Sequence, residues 1–552
     1  MKKIIIISTF FAASVSLNTG CTKKIDEAYA NPNADVRVPV EKLLPGLVSC
    51  MAANAAGHGP LNDIRFAGKY IQNFLFCNSG GRYDQMGGTI GSSDNAGSLW
   101  RIHFYDIGQN CNRMIQWGTE EKKWDYVGVG KAIFAWSWLT LSDYHGEVVS
   151  VDEALNSSQL TFSYGSQEQV YNYVKKLCYE ALENLNKTGD GVSQANLALG
   201  DAYFYNGDVN KWKKFVYGIL ARVYNHLSNK SALYKPDSVI YFCNQSINAN
   251  ADNATVKFAN TGVSGTANFF GPFRGNLASV AVGTETAIRQ SAYIANLMTG
   301  SNNAFPGVSD PRAWYILRSN NSGTFVGLDP NKGQTIIPAA NRPENFWGVS
   351  QSSGVNNTAP ANDNNCRYIF KNAAEFPVIT AAEIQFIKAE AAYRKGDLAT
   401  ALAAYKQGID LNFDMLTTTY GANIPPANVI TPTIKDNFLN NTTIVPATAN
   451  ELTLTHIMLQ KYIALYIHGA LETWVDMRRF HYLDKDPITN EQVYRNFTPP
   501  SGTDLYPDNG GKLVYRVRPR YNSEYVWNLN ELIRIGADKS DYHTKECWFS
   551  QP

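Results

Sequence analysis

The chain has 552 residues, with 49 Lys and Arg against 48 Asp and Glu, and a net charge of +1. Only 18% of its residues are charged and 44% are hydrophobic, which argues against a broadly basic nucleic-acid surface and against a disordered chain. Aromatic residues make up 12% of the chain, a content that suits packed helices as well as flat platforms for sugars or peptides.

The N-terminus predicts export. Met1-Lys2-Lys3 is a short basic region, and the apolar stretch that follows is too short for a membrane-spanning helix. Residues 1–20 are therefore interpreted as a signal peptide. No later segment has the roughly 18 apolar residues that a membrane span needs.

Cys21 is the predicted lipidation site. Gly20-Cys21 resembles a bacterial lipobox, in which the Cys is lipidated and becomes the mature N-terminus. Asn18 stands where an aliphatic residue is usual, so an ordinary secreted protein with a coincidental Cys is the alternative. A lipid on Cys21 would hold the protein at a membrane surface without a spanning helix, and residues 21–45 then comprise the lipidated Cys and a tether.

The cysteines indicate neither a disulfide framework nor a zinc site. Seven of the eight remain after Cys21 is set aside, an odd number, and no C-x-x-C occurs. We expect most of them to be small buried hydrophobic residues.

Helical and irregular segments alternate along the chain. Two long segments lack helical spacing: the Gly-rich loop 78–98, and the region 250–370, which is rich in Asn, Gly, Ser and Pro. Long loops of this kind are usually functional or disordered. Hydrophobic spacing predicts helices over 60–76, 100–117, 125–143, 167–187, 210–227, 381–395, 398–413 and 454–480, the last buried on all sides.

The segment 389–410, AEAAYRKGDLATALAAYKQGID, matches the spacing of a tetratricopeptide helix pair. Gly396 predicts the end of the first helix, because that position needs left-handed dihedral angles. Gly408 is small enough to let the two helices approach, and Tyr405 fills the groove between them. Such a pair cannot bury its apolar faces alone, so neighbouring helices must stack on it.

Five strings, in order, resemble one family. They are DYVGVGKAIFAWSWLTLSDYHGEVV (125–149), DAYFYNGDVNKWKKFVYGILARV (201–223), FPVITAAEIQFIKAEAAYRKGD (376–397), LQKYIALYIHGALETWVDMRRF (459–480) and RPRYNSEYVWN (518–528). With the lipoprotein start, they are similar to the SusD/RagB family of nutrient-binding outer-membrane lipoproteins of Bacteroidota. Asn522 departs from the family, which usually has Pro in an Arg-Tyr-Pro-x-x-Glu turn.

The resemblance implies a mainly α fold: a tetratricopeptide-like α-α superhelical body with long irregular loops and a few short strands. We expect one such domain over 46–552, with ligand-binding loops at about 78–98 and 250–370. The resemblance also implies a partner, a SusC-like TonB-dependent transporter of the outer membrane that the helical repeats face. The ligand is an oligosaccharide or, in some members, a peptide, and no catalysis is implied.

The motifs predict no catalytic residue, no metal site and no cofactor. G-x-S-x-G, H-E-x-x-H and the P-loop pattern are absent. Asp329, Asn331 and Gly333 suggest a calcium loop, but Gln334 and Ala340 stand where that loop needs Gly and Glu. A surface glycoside hydrolase stays an alternative, because only the spatial separation of two carboxylates is diagnostic. Its candidate acids are exposed loop residues such as Asp84 and Asp94.

Loop aromatics are the better candidates for ligand contact. Trp136, Trp138, Trp212 and Trp474 follow helical spacing and are predicted to pack in the core, and Trp100 and Tyr105 are interpreted as structural. A sugar needs a flat aromatic ring and polar groups for its hydroxyls. We hypothesise that Tyr83 and Trp347 form part of an aromatic platform. The predicted ligand-binding residues are Arg82, Tyr83, Asp84, Trp314, Tyr315, Trp347 and Tyr368.

The sequence thus predicts a cell-surface, lipid-anchored glycan-binding protein of the outer membrane. It would capture an oligosaccharide and pass it to the transporter without breaking a bond. A peptide-binding member of the same family and a surface glycoside hydrolase are the alternatives.

Overall fold

The computed structural model describes residues 37–52, 63–79, 83–91, 94, 97–156, 158–275, 277, 287–350 and 359–552. The predicted signal peptide, Cys21 and Arg82 lie outside the described residues. Val40 and Leu44 are fully buried, so the folded body extends to Val40, before the predicted boundary at residue 46.

Helices make up most of the described structure. They are α1 Leu44–Ala52, α2 Asp63–Tyr70, α3 Ser98–Arg101, α4 Asn110–Glu120, α5 Trp124–His145, α6 Gln167–Leu185, α7 Gln194–Asp201, α8 Val209–His226, α9 Pro236–Gln245, α10 Ala292–Thr299, α11 Ala313–Ile316, α12 Ala381–Lys395, α13 Leu398–Thr419, α14 Pro432–Leu439, α15 Leu454–Ala464, α16 Ala470–Arg479 and α17 Leu529–Ile535. Two further segments, Ile102–Gln109 and Tyr521–Tyr525, are π-helical.

The strands are few and short. They are β1 Phe74–Phe76, β2 Val148–Val149, β3 Tyr164–Gly165, β4 Ala254–Val256, β5 Ile288–Gln290 and β6 Phe376–Ile379. Within the described residues they form three antiparallel pairs, β1 with β5, β2 with β3, and β4 with β6. The predicted fold class, a mainly α body with a few short strands, is confirmed.

The body is a stack of antiparallel helix pairs. α5 packs on α6, α8 on α9 and α12 on α13, while α6 contacts α8, α9 contacts α12, and α12 contacts α15. Each pair therefore covers the apolar face of the next, as helical repeats require. One connected hydrophobic core extends from Val40 to Phe549.

Local chemistry explains where the repeat helices begin and end. Ser166 and Gln169 form a reciprocal capping box at the start of α6, and the Asp208 side chain accepts the first backbone N–H groups of α8. Gly396 ends α12 with a φ of +86°, the left-handed conformation that was predicted. A Cβ on Gly408 would lie 2.9 Å from the Phe386 ring, so only glycine allows α13 to pack this closely on α12.

A buried ion pair joins two repeats. Arg222 of α8 donates from Nε and Nη2 to the two carboxylate oxygens of Glu383 of α12, at 2.6 and 2.8 Å. Such a two-point contact fixes the guanidinium and the carboxylate in one plane. The pair therefore sets how α8 lies against α12.

Two predicted helices are wrong in extent. The helix predicted over 454–480 is interrupted between Ala464 and Ala470, where Ile467 has a φ of +64° and its N–H donates to Asn73 Oδ1 at 3.0 Å. The helix predicted over 60–76 ends at Tyr70, because residues 74–76 pair with β5 as a strand. In both places a partner from a distant part of the chain replaces a helical hydrogen bond.

The predicted core positions are confirmed. Trp136, Trp138, Trp212 and Trp474 are at most 4% exposed. Six of the seven cysteines in the described residues are buried, and none of the seven is in a disulfide. Among the described residues, no helix is long and apolar enough to cross a membrane.

Candidate ligand-binding site

The predicted platform of Tyr83 and Trp347 is absent from this structure. The two residues are 2% and 1% exposed, so neither ring presents a face to a ligand. The Tyr83 hydroxyl donates to the Lys69 carbonyl at 2.5 Å, and the Trp347 Nε1–H donates to the Phe270 carbonyl at 2.7 Å. Both loops fold back onto the body, because each ring gains apolar burial while its polar tip finds a backbone acceptor.

Three more predicted residues are buried. Asp84 is 1% exposed and accepts hydrogen bonds from the Tyr506 backbone N–H at 2.6 Å and from Asn509 Nδ2 at 3.0 Å. Tyr315 and Tyr368 are each 2% exposed. Asp84 is therefore a structural residue of the loop and not the solvated acid that was expected.

Trp314 is the predicted site residue that keeps partial exposure. Its ring lies edge-to-face against Phe325 with the centroids 4.9 Å apart. The Arg367 Nη1 donates to its carbonyl at 3.0 Å. Trp314 therefore stays a prediction.

An aromatic cleft lies elsewhere, on the loops at one end of α5 and α6. Trp527 is 71% exposed and Tyr105 is 73% exposed, although rings of this size usually bury most of their area. Trp527 lines a pocket of about 510 Å³, and Tyr105 lines a pocket of about 170 Å³. Phe162 lines both pockets, so the two pockets adjoin, and we call them together the aromatic cleft.

Tyr105 lies in a π-helical segment. The predicted helix over 100–117 is present, but residues 102–109 are π-helical, a form that occurs mainly as short bulges and often at functional sites. Its buried side includes Ile102, His103 and Ile107. Tyr105 points away from that side and into the cleft.

The second wall of the cleft is the loop between β2 and β3, which hydrogen bonds hold in place. Asn528 mimics a strand partner for Phe162: its Oδ1 accepts the Phe162 N–H at 3.2 Å, and its Nδ2 donates to the Phe162 carbonyl at 2.8 Å. The Tyr164 N–H donates to Glu531 Oε2 at 2.9 Å, and the Tyr164 hydroxyl donates to Glu524 Oε2 at 2.7 Å. These bonds pin the loop to the segment that carries Trp527.

The pKa values of the cleft acids are shifted in opposite directions. Burial raises the pKa of Glu524, which is 6% exposed. Hydrogen bonds from the Ser163 hydroxyl and N–H lower the pKa of Glu153, and a hydrogen bond from Arg534 lowers the pKa of Glu531. Glu153 and Glu531 are therefore anions at neutral pH. Glu524 instead stabilises the loop by accepting the hydrogen bond from the Tyr164 hydroxyl.

Loop 78–98 reaches the cleft through Asp94. Asp94 Oδ1 accepts the Asn522 backbone N–H at 3.0 Å, and its Oδ2 accepts the Asn522 side-chain amide. Arg520 Nε lies 3.7 Å from Asp94 Oδ1. The departure from Pro at position 522 therefore has a consequence, since a proline has no N–H for this contact.

The chemistry of the cleft suits recognition. Its rings offer apolar faces, and its acid, amide and hydroxyl groups can hydrogen-bond to sugar hydroxyls. Within the described residues, no group of three or more His, Cys, Asp or Glu side chains is arranged to hold a metal ion.

Sequence reasoning missed Tyr105 and Trp527. A signal for Tyr105 existed: the buried positions Trp100, Ile107, Cys111 and Met114 define one helix face, and Tyr105 is out of phase with them. Trp527 lies in an irregular segment without periodic spacing.

The fold is that of solved SusD-family proteins. A SusD/RagB family protein from Bacteroides thetaiotaomicron VPI-5482 shares 19% identity, covers 93% of this chain and 99% of its own, and has a TM-score of 0.61. A SusD homolog from Bacteroides fragilis NCTC 9343 gives 18% identity, 93% and 100% coverage and a TM-score of 0.67. A chitin-binding SusD homolog from Flavobacterium johnsoniae shares 18% identity and has a TM-score of 0.58. The match covers 93% of this chain and 96% of that homolog.

A stack of helix pairs with long loops thus places the chain in the class of helical-repeat proteins. The family model described as "Starch-binding associating with outer membrane" matches residues 91–498. The chain belongs to this SusD-like family. No curated protein matches the chain.

Proposed function

We propose that this protein is a lipid-anchored, surface-exposed glycan-binding protein of the outer membrane. It captures an oligosaccharide in the aromatic cleft and passes it to a SusC-like TonB-dependent transporter, and no bond is broken. The observation that carries the proposal is the aromatic cleft, in which Tyr105 and Trp527 expose about 70% of their surface beside fixed polar groups. The family's association with starch and the chitin-binding homolog support a glycan as the ligand.

The anchor is proposed at Cys21. Residues 22–39 separate it from Val40, where the folded body is already buried. Eighteen residues span at most about 60 Å when fully extended. A lipid on Cys21 would therefore keep the body near the membrane and leave it free to meet a transporter.

The face of the helical repeats is the proposed transporter contact. Tyr179 of α6 and Tyr241 of α9 are 48% and 53% exposed, and Tyr224 of α8 lies between them. The hydroxyls of Tyr179 and Tyr224 are 3.1 Å apart, and the Tyr224 ring lies 5.0 Å from that of Phe242. Exposed Tyr is enriched in protein interfaces because one residue supplies both apolar area and a hydrogen bond.

Two double variants test the two parts of the proposal separately, glycan binding in the cleft and contact with the transporter. Tyr105→Ala with Trp527→Ala should weaken glycan binding by about fivefold or more, because each aromatic contact contributes about 0.5–1.5 kcal/mol and about 1.4 kcal/mol is a factor of ten. Tyr179→Ala with Tyr241→Ala should leave glycan binding unchanged and weaken capture of the transporter. Since all four side chains are exposed, both variants should melt within a few degrees of wild type.

The assay is calorimetry on a glycan that a glycan array identifies with the wild-type protein. Equal affinity of the wild type and the Tyr105/Trp527 variant for that glycan would refute the role of the cleft. Shortened products after incubation with mixed glycans would refute the non-catalytic mechanism. Capture of peptides in place of glycans would favour the peptide-binding alternative.

A further inference from the structure

The two pockets of the aromatic cleft differ in charge. The charged residues that line the Trp527 pocket are Glu153 and Glu531, and no Lys or Arg lines it. The Tyr105 pocket is lined by Arg101 and Arg520 together with the buried Glu524. A ligand that spans the cleft therefore meets carboxylates at one end and guanidinium groups at the other.

Neighbouring backbone amides fix the two carboxylates. Glu153 Oε2 accepts the Ser163 N–H at 2.8 Å and its Oε1 accepts the Ser163 hydroxyl at 2.7 Å, while Glu531 Oε2 accepts the Tyr164 N–H at 2.9 Å. Both acids therefore keep their negative charge and their position beside the exposed Trp527 ring.

In the described part of the chain, one of the two pocket carboxylates, Glu531, is paired with a cation, whereas Glu153 is not. Arg534 lies 2.8 Å from Glu531 but does not line the pocket, and its side chain is 54% exposed. In the other pocket, Arg101 lies 3.3 Å from Asp106. Among the described residues, Glu153 is hydrogen-bonded to Ser163 and forms no ion pair, so its charge is not cancelled by a cation.

We infer that the Trp527 pocket selects sugar residues that are neutral or carry an amine, and rejects sugar residues that carry a carboxylate or a sulfate. This inference rests on the proposed function and specifies its substrate class. Stacking on the Trp527 ring brings the substituents of a sugar to the rim where Glu153 and Glu531 lie. A protonated amine there gains attraction, a hydroxyl or acetamide donates a hydrogen bond, and an anion meets like charge.

The expected discrimination is measurable. Two like charges a few ångström apart weaken binding by about fivefold even in water-like surroundings, and by more where solvent is excluded. Removing the carboxylates should therefore restore binding of an acidic glycan by at least about fivefold.

The experiment compares two matched pairs of β-1,4-linked hexasaccharides by calorimetry at pH 6. One pair is chitohexaose and its deacetylated amine form, and the other is cellohexaose and its C6-oxidised form, with the α-1,4-linked maltohexaose as a further neutral probe. Wild type should bind the neutral or amine probe at least about fivefold more tightly than the oxidised one. Glu153→Gln with Glu531→Gln should remove most of this difference, whereas the matched control, Glu168→Gln with Glu183→Gln on the exposed side of α6, should keep it.

The outcomes separate the inference from the proposed function. If no probe binds at millimolar concentration, both fail on these ligands. If glycans bind but the oxidised probe binds as tightly as the others, as it would through Arg101 and Arg520, only the inference fails. Gln replaces one hydrogen-bond acceptor of Glu by a donor, so a second test uses the wild type alone. Raising the salt concentration should reduce the ratio of the affinities for the neutral and the oxidised probe, because salt screens charge repulsion. An unchanged affinity ratio would overturn the inference.

Discussion

Replacing Asp94 by Ala should loosen the segment that carries Trp527. The Asp94 carboxylate accepts hydrogen bonds from the backbone N–H and the side-chain amide of Asn522. Asn522 lies in the π-helical segment that precedes Trp527. The side chain of Asp94 is 31% exposed, so each hydrogen bond is worth about 1 kcal/mol and the distant Arg520 contact adds little. The loss of both bonds therefore lowers the local opening free energy by about 2 kcal/mol.

Native-state hydrogen exchange on peptides that cover residues 521–528 measures this opening. A loss of about 2 kcal/mol corresponds to exchange about thirtyfold faster, since 1.4 kcal/mol is a factor of ten. Asn522→Pro should give a smaller change in stability, because proline removes the same bonds but restricts the unfolded chain by about 0.4–1 kcal/mol. Asp237→Ala, which removes an exposed acid on α9 that pairs with Lys395, is the control.

Two results would refute this reasoning. If Asp94→Ala leaves the exchange of residues 521–528 within about twofold of wild type, the contact does not hold the segment. If Asp237→Ala accelerates that exchange equally, the effect is not local.

Two further predictions concern the body. Gly408→Ala should lower the free energy of unfolding by up to about 2 kcal/mol, because the new methyl group meets the Phe386 ring and overpacking outweighs the roughly 1 kcal/mol gain in helix propensity; a higher urea midpoint would contradict this. Hydrogen bonding to Asp484, with the charge of Glu546, raises the pKa of His481 to about 9. The contribution of His481 to stability should therefore be full below about pH 6.5 and be lost as the pH rises through 9. The difference in unfolding free energy between wild type and His481→Gln should shrink over that range. A constant difference would show that the ion pair contributes nothing.

The repeat helices could be predicted because their determinants are local. Helical spacing, the cap at Asp208 and the left-handed Gly396 lie within the elements that they define. The interruption at Ile467 could not, because its N–H is satisfied by Asn73, almost 400 residues away in the sequence. An all-apolar sequence gives no signal that one of its N–H groups will hydrogen-bond to a distant part of the chain.

The site residues were predicted less well, for the same physical reason. Tyr83 and Trp347 lie in irregular loops, and a loop aromatic without periodic spacing can either face solvent or fold inward. Their burial is decided by backbone carbonyls of other segments, those of Lys69 and Phe270. Tyr105 was missed too, although the sequence carries a signal for it, because its position is out of phase with the buried positions of its helix.

The way the cleft is held bears on how it would bind. Its walls come from three separated parts of the chain, and Asn528 joins two of them by a reciprocal pair of hydrogen bonds to Phe162. A cleft that is already ordered loses little conformational entropy when a ligand enters, so more of the stacking energy of Tyr105 and Trp527 appears as affinity. Asn528→Ala, which keeps both exposed rings, should therefore weaken binding through disorder of the wall, and this separates a preformed cleft from one that the ligand itself assembles.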